Sequence, residues 1–454
     1  MSRAARGVSV GGWIAWVLLW GVVLAGCLPA APTPVEPSPT PSLPPASGLV
    51  IHLDRPLGQV SPYVYGVNYG PWMVVPYELM PQAQAAGIRF LRFPGGNWGD
   101  QHDLRPYQID AYIRLARQLG AEPSISVRLR GGTPEQAAAL VRYTNVEQGY
   151  NVRFWSIGNE PSLYPDYDVE RFNREWRAFA EAMRAVDPTI RLIGPDIHQF
   201  TADPAANPKD RHGKDWMRAF LEANGDLVDV VSFHRYPFPR CRTCPPATVE
   251  ELRANVAEWD AIIPALRALI RETTGQDKPV AVTEVNSHWN KAVGRDTTPD
   301  GFYNAIWWAD VLGRLIRQQV YMVAYFALQT SPGAGPWGLL ASTEVRPTYY
   351  VYRLYREFGD TLLEVTLPET GSRLSAYAAR RKDGVLTLIL VNREEVPATV
   401  PLTLVGGTVS GPLTLVRLDR THAAEPLAPL DYTPGMTLTL PGPSVTLVEV
   451  PVTP

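Results

Sequence analysis

Cysteine is scarce in this chain: three occur in 454 residues, at positions 27, 241 and 244. Three thiols cannot staple a fold of this length, so stability has to come from a buried core. Histidine is scarce as well. The seven (52, 102, 198, 212, 234, 288 and 422) include no His-x-His pair and no His-Glu-x-x-His run. A histidine-built metal centre is therefore not expected, and neither metal nor cofactor is called for. There is no basic excess, since 42 Lys and Arg face 45 Asp and Glu for a net charge of −3. Without a basic stripe for phosphates, nucleic-acid binding is excluded. Charged residues make up 19% against 45% hydrophobic, which excludes a disordered chain. A glycine-rich phosphate loop is also missing: Gly66-Val67-Asn68-Tyr69-Gly70 matches one poorly. What the chain holds in excess is proline, 44 residues, and tryptophan, 13.

The first 26 residues read as a leader. Arg3 and Arg6 form a positive start, Gly11–Gly26 is uncharged and mostly apolar, and Leu24-Ala25-Gly26-Cys27 resembles a bacterial lipobox with Cys27 as the lipidated residue. The alternative is an uncleaved membrane helix, because roughly 20 apolar residues span a bilayer. Either way the remainder lies outside the cytoplasm, facing the cell surface or periplasm and touching the membrane only through its N-terminal anchor. Pro29–Pro45 carries eight prolines in 17 positions, so residues 27–47 are expected to form an extended stalk. In an exported chain Cys241 and Cys244 of Cys-Arg-Thr-Cys are expected to form a disulfide, with free thiols or a metal site as the alternatives.

From residue 48 to 358 β-rich runs alternate with helical ones. The expected strands are Tyr63–Asn68, Ile88–Phe93, Pro123–Leu129, Val152–Ile157, Ile190–Gly194, Val228–Phe233, Val280–Thr283 and Tyr321–Leu328. Helical patterns separate most of them, with start signals such as Thr133-Pro134 followed by Gln136. Eight βα repeats predict an α/β fold of the (β/α)8 TIM-barrel type. Past Gly359 the character changes to short strands with Gly/Pro turns, from Thr361–Leu367 to Val445–Val450, a β-sandwich signature over 359–454. Residues 48–57 can add a strand to it.

Catalytic groups in such a barrel sit at the C-terminal ends of strands. Strand four runs into Asn159-Glu160-Pro161 and strand seven into Glu284. Two carboxylates at facing strand ends are what glycoside hydrolysis requires: one protonates the leaving oxygen, the other attacks or activates water. Arg92, at the end of strand two, shares parity with Ile88 and Phe90, and an inward guanidinium there can hold a nearby carboxylate ionised. Asn97 and Trp98 follow it; His234 and Tyr236 end strand six; Trp289 and Trp337 join the aromatic residues at the mouth, whose rings suit the C–H faces of sugars. His198 and His288 are either loop hydrogen bonders or substrate contacts. Asp100, His102 and Asp103 can select substrate, and Arg128, Arg130 and Arg235 can serve a uronate or make ion pairs.

At these residues the sequence resembles clan A retaining glycoside hydrolases. Arg92-Phe93-Pro94-Gly95-Gly96-Asn97 is similar to the α-L-arabinofuranosidase and heparanase-like families; Ile193-Gly194-Pro195 and Ser232–Tyr236 look closer to the β-xylosidase/α-L-iduronidase family. The resemblance implies Glu160 as acid/base, Glu284 as nucleophile, Asn159 on the sugar 2-hydroxyl, and Tyr236 and Arg92 orienting Glu284. The expected activity is double-displacement cleavage of O-glycosidic bonds in oligo- or polysaccharides. The alternative is a catalytically inactive, glycan-binding surface lipoprotein. Removing Trp13, Trp16 and Trp20 leaves ten tryptophans in residues 72–337 and none beyond, so the aromatic excess is expected to be a sugar-facing feature of the barrel.

Overall fold

The computed structural model describes residues 48–331, 333–368 and 374–453. The leader, the stalk and the lipidation expected at Cys27 lie outside the described residues. Eight parallel strands close into a barrel: β1 (Gly66–Asn68), β2 (Phe90–Phe93), β3 (Glu122–Val127), β4 (Phe154–Ile157), β5 (Arg191–Ile197), β6 (Val230–Arg235), β7 (Val280–Val285) and β8 (Met322–Tyr325). The last pairs back onto the first through Gly66 and Val67. All eight coincide with an expected strand, because short, mostly apolar runs bounded by turns leave little other choice.

Residues of one parity fill the barrel. Phe90, Phe154, Ile193, Val230, Ala281, Met322 and Ala324 form a closed plug towards its N-terminal end. Two positions further along four of the strands the side chains turn polar: Arg92, Ser156, Ser232 and Thr283, all buried. The opposite parity faces the helices. In the helix Val169–Val186, for example, Val169, Phe172, Trp176, Phe179, Ala180 and Met183 are buried, the 3.6-residue stripe expected of a helix lying on a sheet. Asp168 caps its start by accepting the Arg171 N–H. The helical stretch expected over Val249–Thr273 is broken into Val249–Asn255, a 3-10 turn and Trp259–Thr274. Among the described residues no helix is long and apolar enough to cross a membrane.

The tryptophan excess has a different cause from the one expected. Trp155, Trp176, Trp216, Trp259, Trp307 and Trp308 are wholly buried in the layer between barrel and helices. Only Trp72, Trp98, Trp289 and Trp337 lie near the mouth and keep part of their surface exposed. Filling a wide sheet–helix interface, rather than binding sugar, accounts for most of them.

Beyond the barrel, strands from Thr361–Thr366 to Ser444–Val450 join Leu49–Gln59 in one nine-stranded sheet. Leu49–Gln59 pairs antiparallel with Thr361–Thr366 and parallel with Ala398–Val405. The sheet curls around its own core of Leu49, Ile51, Leu388, Leu402, Leu438 and Val448. Its other face packs on the barrel unit: Tyr377, Ile389, Val391 and Leu447 belong to the large core. The strand Leu386–Asn392 is buried along its whole length for this reason, and Leu388–Val391 within it is apolar on both faces. The helix Phe302–Arg317 is clasped between the two layers. The Tyr377 hydroxyl donates to Asp310, Arg393 pairs with Asp310 at 3.1 Å, and Gly313 leaves room for the Tyr377 ring, which an added Cβ would meet at 2.2 Å.

Candidate active site

Two irregularities at the C-terminal ends of the strands aim the carboxylates inward. Strict alternation from the inward Ala281 would turn Glu284 outward. Along β6 and β7, however, Phe233 pairs with Val282 while His234 pairs with Glu284, a bulge that re-aims the glutamate at the mouth. A second bulge lies between Pro195 and Ile197 on β5. It leaves Asp196 in the left-handed region, φ 52°, with its carboxylate turned into the barrel. Glu160 is also left-handed, φ 49°, which costs a non-glycine residue roughly 1–3 kcal/mol. Its N–H donates to the Asp196 carbonyl at 3.0 Å and its carbonyl accepts the Leu163 N–H at 2.9 Å, and these bonds fix the turn.

Glu284 accepts three hydrogen bonds: from Arg92 at 2.7 Å, from the Gly96 N–H at 2.6 Å and from the Tyr236 hydroxyl at 2.9 Å. Gly96 has a φ of 66°, a backbone state that favours glycine and presents its N–H to the carboxylate. Arg92 is 1% exposed and also donates to Asn68 and Asn159, both at 3.0 Å, and to Asp196 at 3.2 Å. Burial alone would lower the Arg92 pKa, but Asp196 and Glu284 more than offset it. Burial likewise pushes Asp196 up, and Arg92, His234, Ser232 and Thr283 together bring it below the usual carboxylate value.

His234 was expected on the substrate side. Instead it is fully buried, with Nδ1 3.0 Å from Glu160 and 3.7 Å from Glu284. The Glu160 carboxyl is pushed up by burial, yet the hydrogen bond and charge of His234 outweigh this and hold it below its ordinary value. One ligand atom each from Glu160, His234 and Glu284 lies within 4.8 Å of the others.

A cavity of about 600 Å³ opens onto both glutamates. Of the expected site residues, Asn97, Tyr236, Trp289 and Trp337 line it. Arg92, Asn159 and His234 lie beneath it, buried. Trp98 sits to one side, stacked on His102 at 4.7 Å between centroids. His198 lines the cavity, bonded to Ser162 at 2.8 Å, and burial lowers its pKa. His288 is a loop hydrogen bonder: it accepts the Ala247 N–H at 3.0 Å, and burial lowers its pKa to about 4. Arg128, Arg130 and Arg235 all make ion pairs, with Asp103, Asp166 and Glu258 respectively. The structure joins Cys241 to Cys244.

One acid of the centre, Asp196, escaped the sequence reading, and a second, Asp100, was expected as a substrate-selecting residue. Asp196 follows Gly194-Pro195, and its place at a strand end was the available signal. Asp100 lies on the short helix Trp98–Gln101 after β2, buried behind Asn159, whose N–H it accepts at 3.0 Å beside the Tyr164 hydroxyl. Burial pushes Asp100 up to about 6, against the pull of those donors and Arg92.

No family model matches the chain. Over 209 residues, 33% of its length, it is 25% identical to α-L-arabinofuranosidase C of Emericella nidulans. Over 279 residues, 57% of its length, it is 25% identical to heparanase of Rattus norvegicus. The matches span 41% and 48% of those two proteins, both glycoside hydrolases. The α-L-arabinofuranosidase of Thermotoga maritima, solved with arabinose, superposes with a TM-score of 0.68 at 20% identity, covering 89% of this chain and 99% of that one. That likeness is one of fold, a (β/α)8 barrel followed by a β-rich domain. The arabinofuranosidase and heparanase resemblance expected from Arg92–Asn97 is the one these comparisons return.

Proposed function

We propose that the protein is a retaining glycoside hydrolase in which Glu284 is the nucleophile and Glu160 the general acid/base. The observation that carries this is the separation of the pair, with one oxygen from each within 4.8 Å. Retention needs carboxyl groups about 5–5.5 Å apart, whereas inversion needs roughly 6.5–9.5 Å to seat a water between them. In the first step Glu284 attacks the anomeric carbon while the Glu160–His234 pair supplies the proton to the departing oxygen. In the second, Glu160 takes a proton from water, which attacks the glycosyl-enzyme and frees Glu284. Asn159 is the contact for the sugar 2-hydroxyl in this reading, supported by its bond to the cavity-lining Asn97 at 2.9 Å. The arabinofuranosidase relatives make α-L-arabinofuranosyl glycosides the first substrates to try. Leu24–Cys27 supports export as a lipoprotein, and the mass of the mature N-terminus tests that part separately.

The catalytic assignment is tested with Glu284→Gly, an activated aryl glycoside and azide. Hydrolysis is expected to vanish, and azide to restore turnover as a glycosyl azide of inverted configuration. Hydrolysis at the wild-type rate without azide contradicts the assignment. A wild type that binds glycans and releases no product supports the inactive alternative.

A further inference from the structure

The Cys-Arg-Thr-Cys motif has no part in the chemistry above, yet the residue that precedes it, Arg240, lines the same cavity. The loop after β6 runs Pro237-Phe238-Pro239-Arg240-Cys241-Arg242-Thr243-Cys244, and its first half is bolted to the loop that follows Glu284. The Phe238 N–H donates to the Ser287 carbonyl at 2.9 Å and the Trp289 N–H to the Phe238 carbonyl at 2.9 Å. The Trp289 indole N–H donates to the Pro239 carbonyl at 2.8 Å. The second half is closed by the disulfide and by the Cys244 N–H on the Cys241 carbonyl at 3.1 Å. Arg240 and Arg242 therefore stand on a framework with little freedom left to lose on binding.

Arg240 differs from the other arginines at the mouth, and Arg242, two residues on in the same clamped loop, shares the difference. Arg128, Arg130 and Arg235 are each neutralised by an acid. Arg240 and Arg242 are exposed, and among the described residues neither has a hydrogen-bonding or ionic partner. Arg240 lines the cavity together with Trp289, Glu160 and Glu284, and its guanidinium lies over the Phe238 ring at 5.7 Å. A neutral sugar would make little use of an unpaired cation in the cavity wall. A sugar bearing a carboxylate would otherwise be repelled by Glu160 and Glu284, and the planar guanidinium fork matches a carboxylate in shape.

We propose that the disulfide-clamped loop Arg240–Cys244 is a recognition element for the carboxylate of a uronosyl residue, placed beside the scissile bond on the Trp289 side of the cavity. This rests on the glycosidase reading, whose substrate class it narrows. The test uses uronate-bearing oligosaccharides derived from glucuronoxylan and from pectin, each beside its carboxyl-reduced counterpart. Both are assayed with the full chain and with the Arg240→Gln/Arg242→Gln variant. For at least one source the wild type is expected to favour the acidic member by roughly tenfold, the size of one charged hydrogen bond. Added salt should reduce this preference, and the variant should bring the ratio near one. The source that shows the preference identifies the backbone. Affinities measured by calorimetry with Glu284→Gln protein give the same ratio without turnover. A wild-type ratio near one for both sources, or a variant that keeps the preference, overturns the proposal. Glu284-dependent hydrolysis of aryl glycosides with no acid preference would overturn this inference and leave the glycosidase reading intact.

Discussion

Replacing Arg92 by Met should destabilise the protein in a way that depends on pH. The substitution keeps most of the volume and removes a cation that pairs with Asp196 at 3.2 Å and Glu284 at 2.7 Å in a site almost closed to water. Breaking a buried pair by removing one partner costs about 3–5 kcal/mol, because the remaining charge is stranded. Spread over the unfolding entropy of roughly 400 residues, that corresponds to a Tm lower by about 4–6 °C. In the wild type Asp196 lies below the ordinary carboxylate value, with Arg92 the largest opponent of burial. A depressed folded value contributes stability above the unfolded carboxylate range, near pH ~4, and loses it only as pH falls through the folded value. Without Arg92 burial dominates and the Asp196 value rises, so the variant loses stability as pH increases. The gap between wild type and variant should therefore be widest at pH 7–8 and narrow towards pH 5. Scanning calorimetry across that range measures it. An unchanged Tm, or a deficit equal at both ends, would refute the idea that Arg92 compensates buried charge.

Other expectations follow from the same geometry. His234→Asn removes the donor that holds the Glu160 carboxyl down; the alkaline limb of the kcat/KM profile should move to higher pH, and a limb that stays put would show that His234 does not tune the acid. Asp100, raised to about 6, contributes stability that is complete below pH ~4 and lost as pH rises through 6. Asp100→Asn should flatten the Tm profile over that interval, by about 2–3 kcal/mol at its alkaline end; an unaltered slope would place the titration elsewhere. Trp289→Ala and Trp337→Ala remove rings that line the cavity. Each should raise KM up to about tenfold with a smaller effect on kcat, since stacking adds roughly 0.5–1.5 kcal/mol beyond area; a change confined to kcat would argue against a binding role.

The barrel was legible because its strands are short, mostly apolar runs with helical stripes between them, and the two glutamates because each closes such a run. The site's inner workings were less so. Glu284 reaches the mouth only through the bulge at His234, and Asp196 through one after Pro195; neither bulge leaves a pattern of period two. His234 shares a strand end with Tyr236, and parity could not say that one would lie beneath Glu160 while the other lined the cavity. The tryptophans misled for a related reason: composition counts rings but not faces, and six of them pack between sheet and helices. The helical pattern over Val249–Thr273 hid a break, because three residues of 3-10 turn barely disturb an apolar stripe.

The central claim is that Glu284 becomes covalently glycosylated. Incubation with an activated 2-deoxy-2-fluoro glycoside of a sugar that the enzyme turns over, followed by proteolysis and peptide mass spectrometry, tests it directly. The account predicts a mass increase of one fluoroglycosyl group on the peptide containing Glu284, absent from Glu284→Gln protein. An adduct on another carboxylate, or turnover with inversion and no adduct, would contradict it.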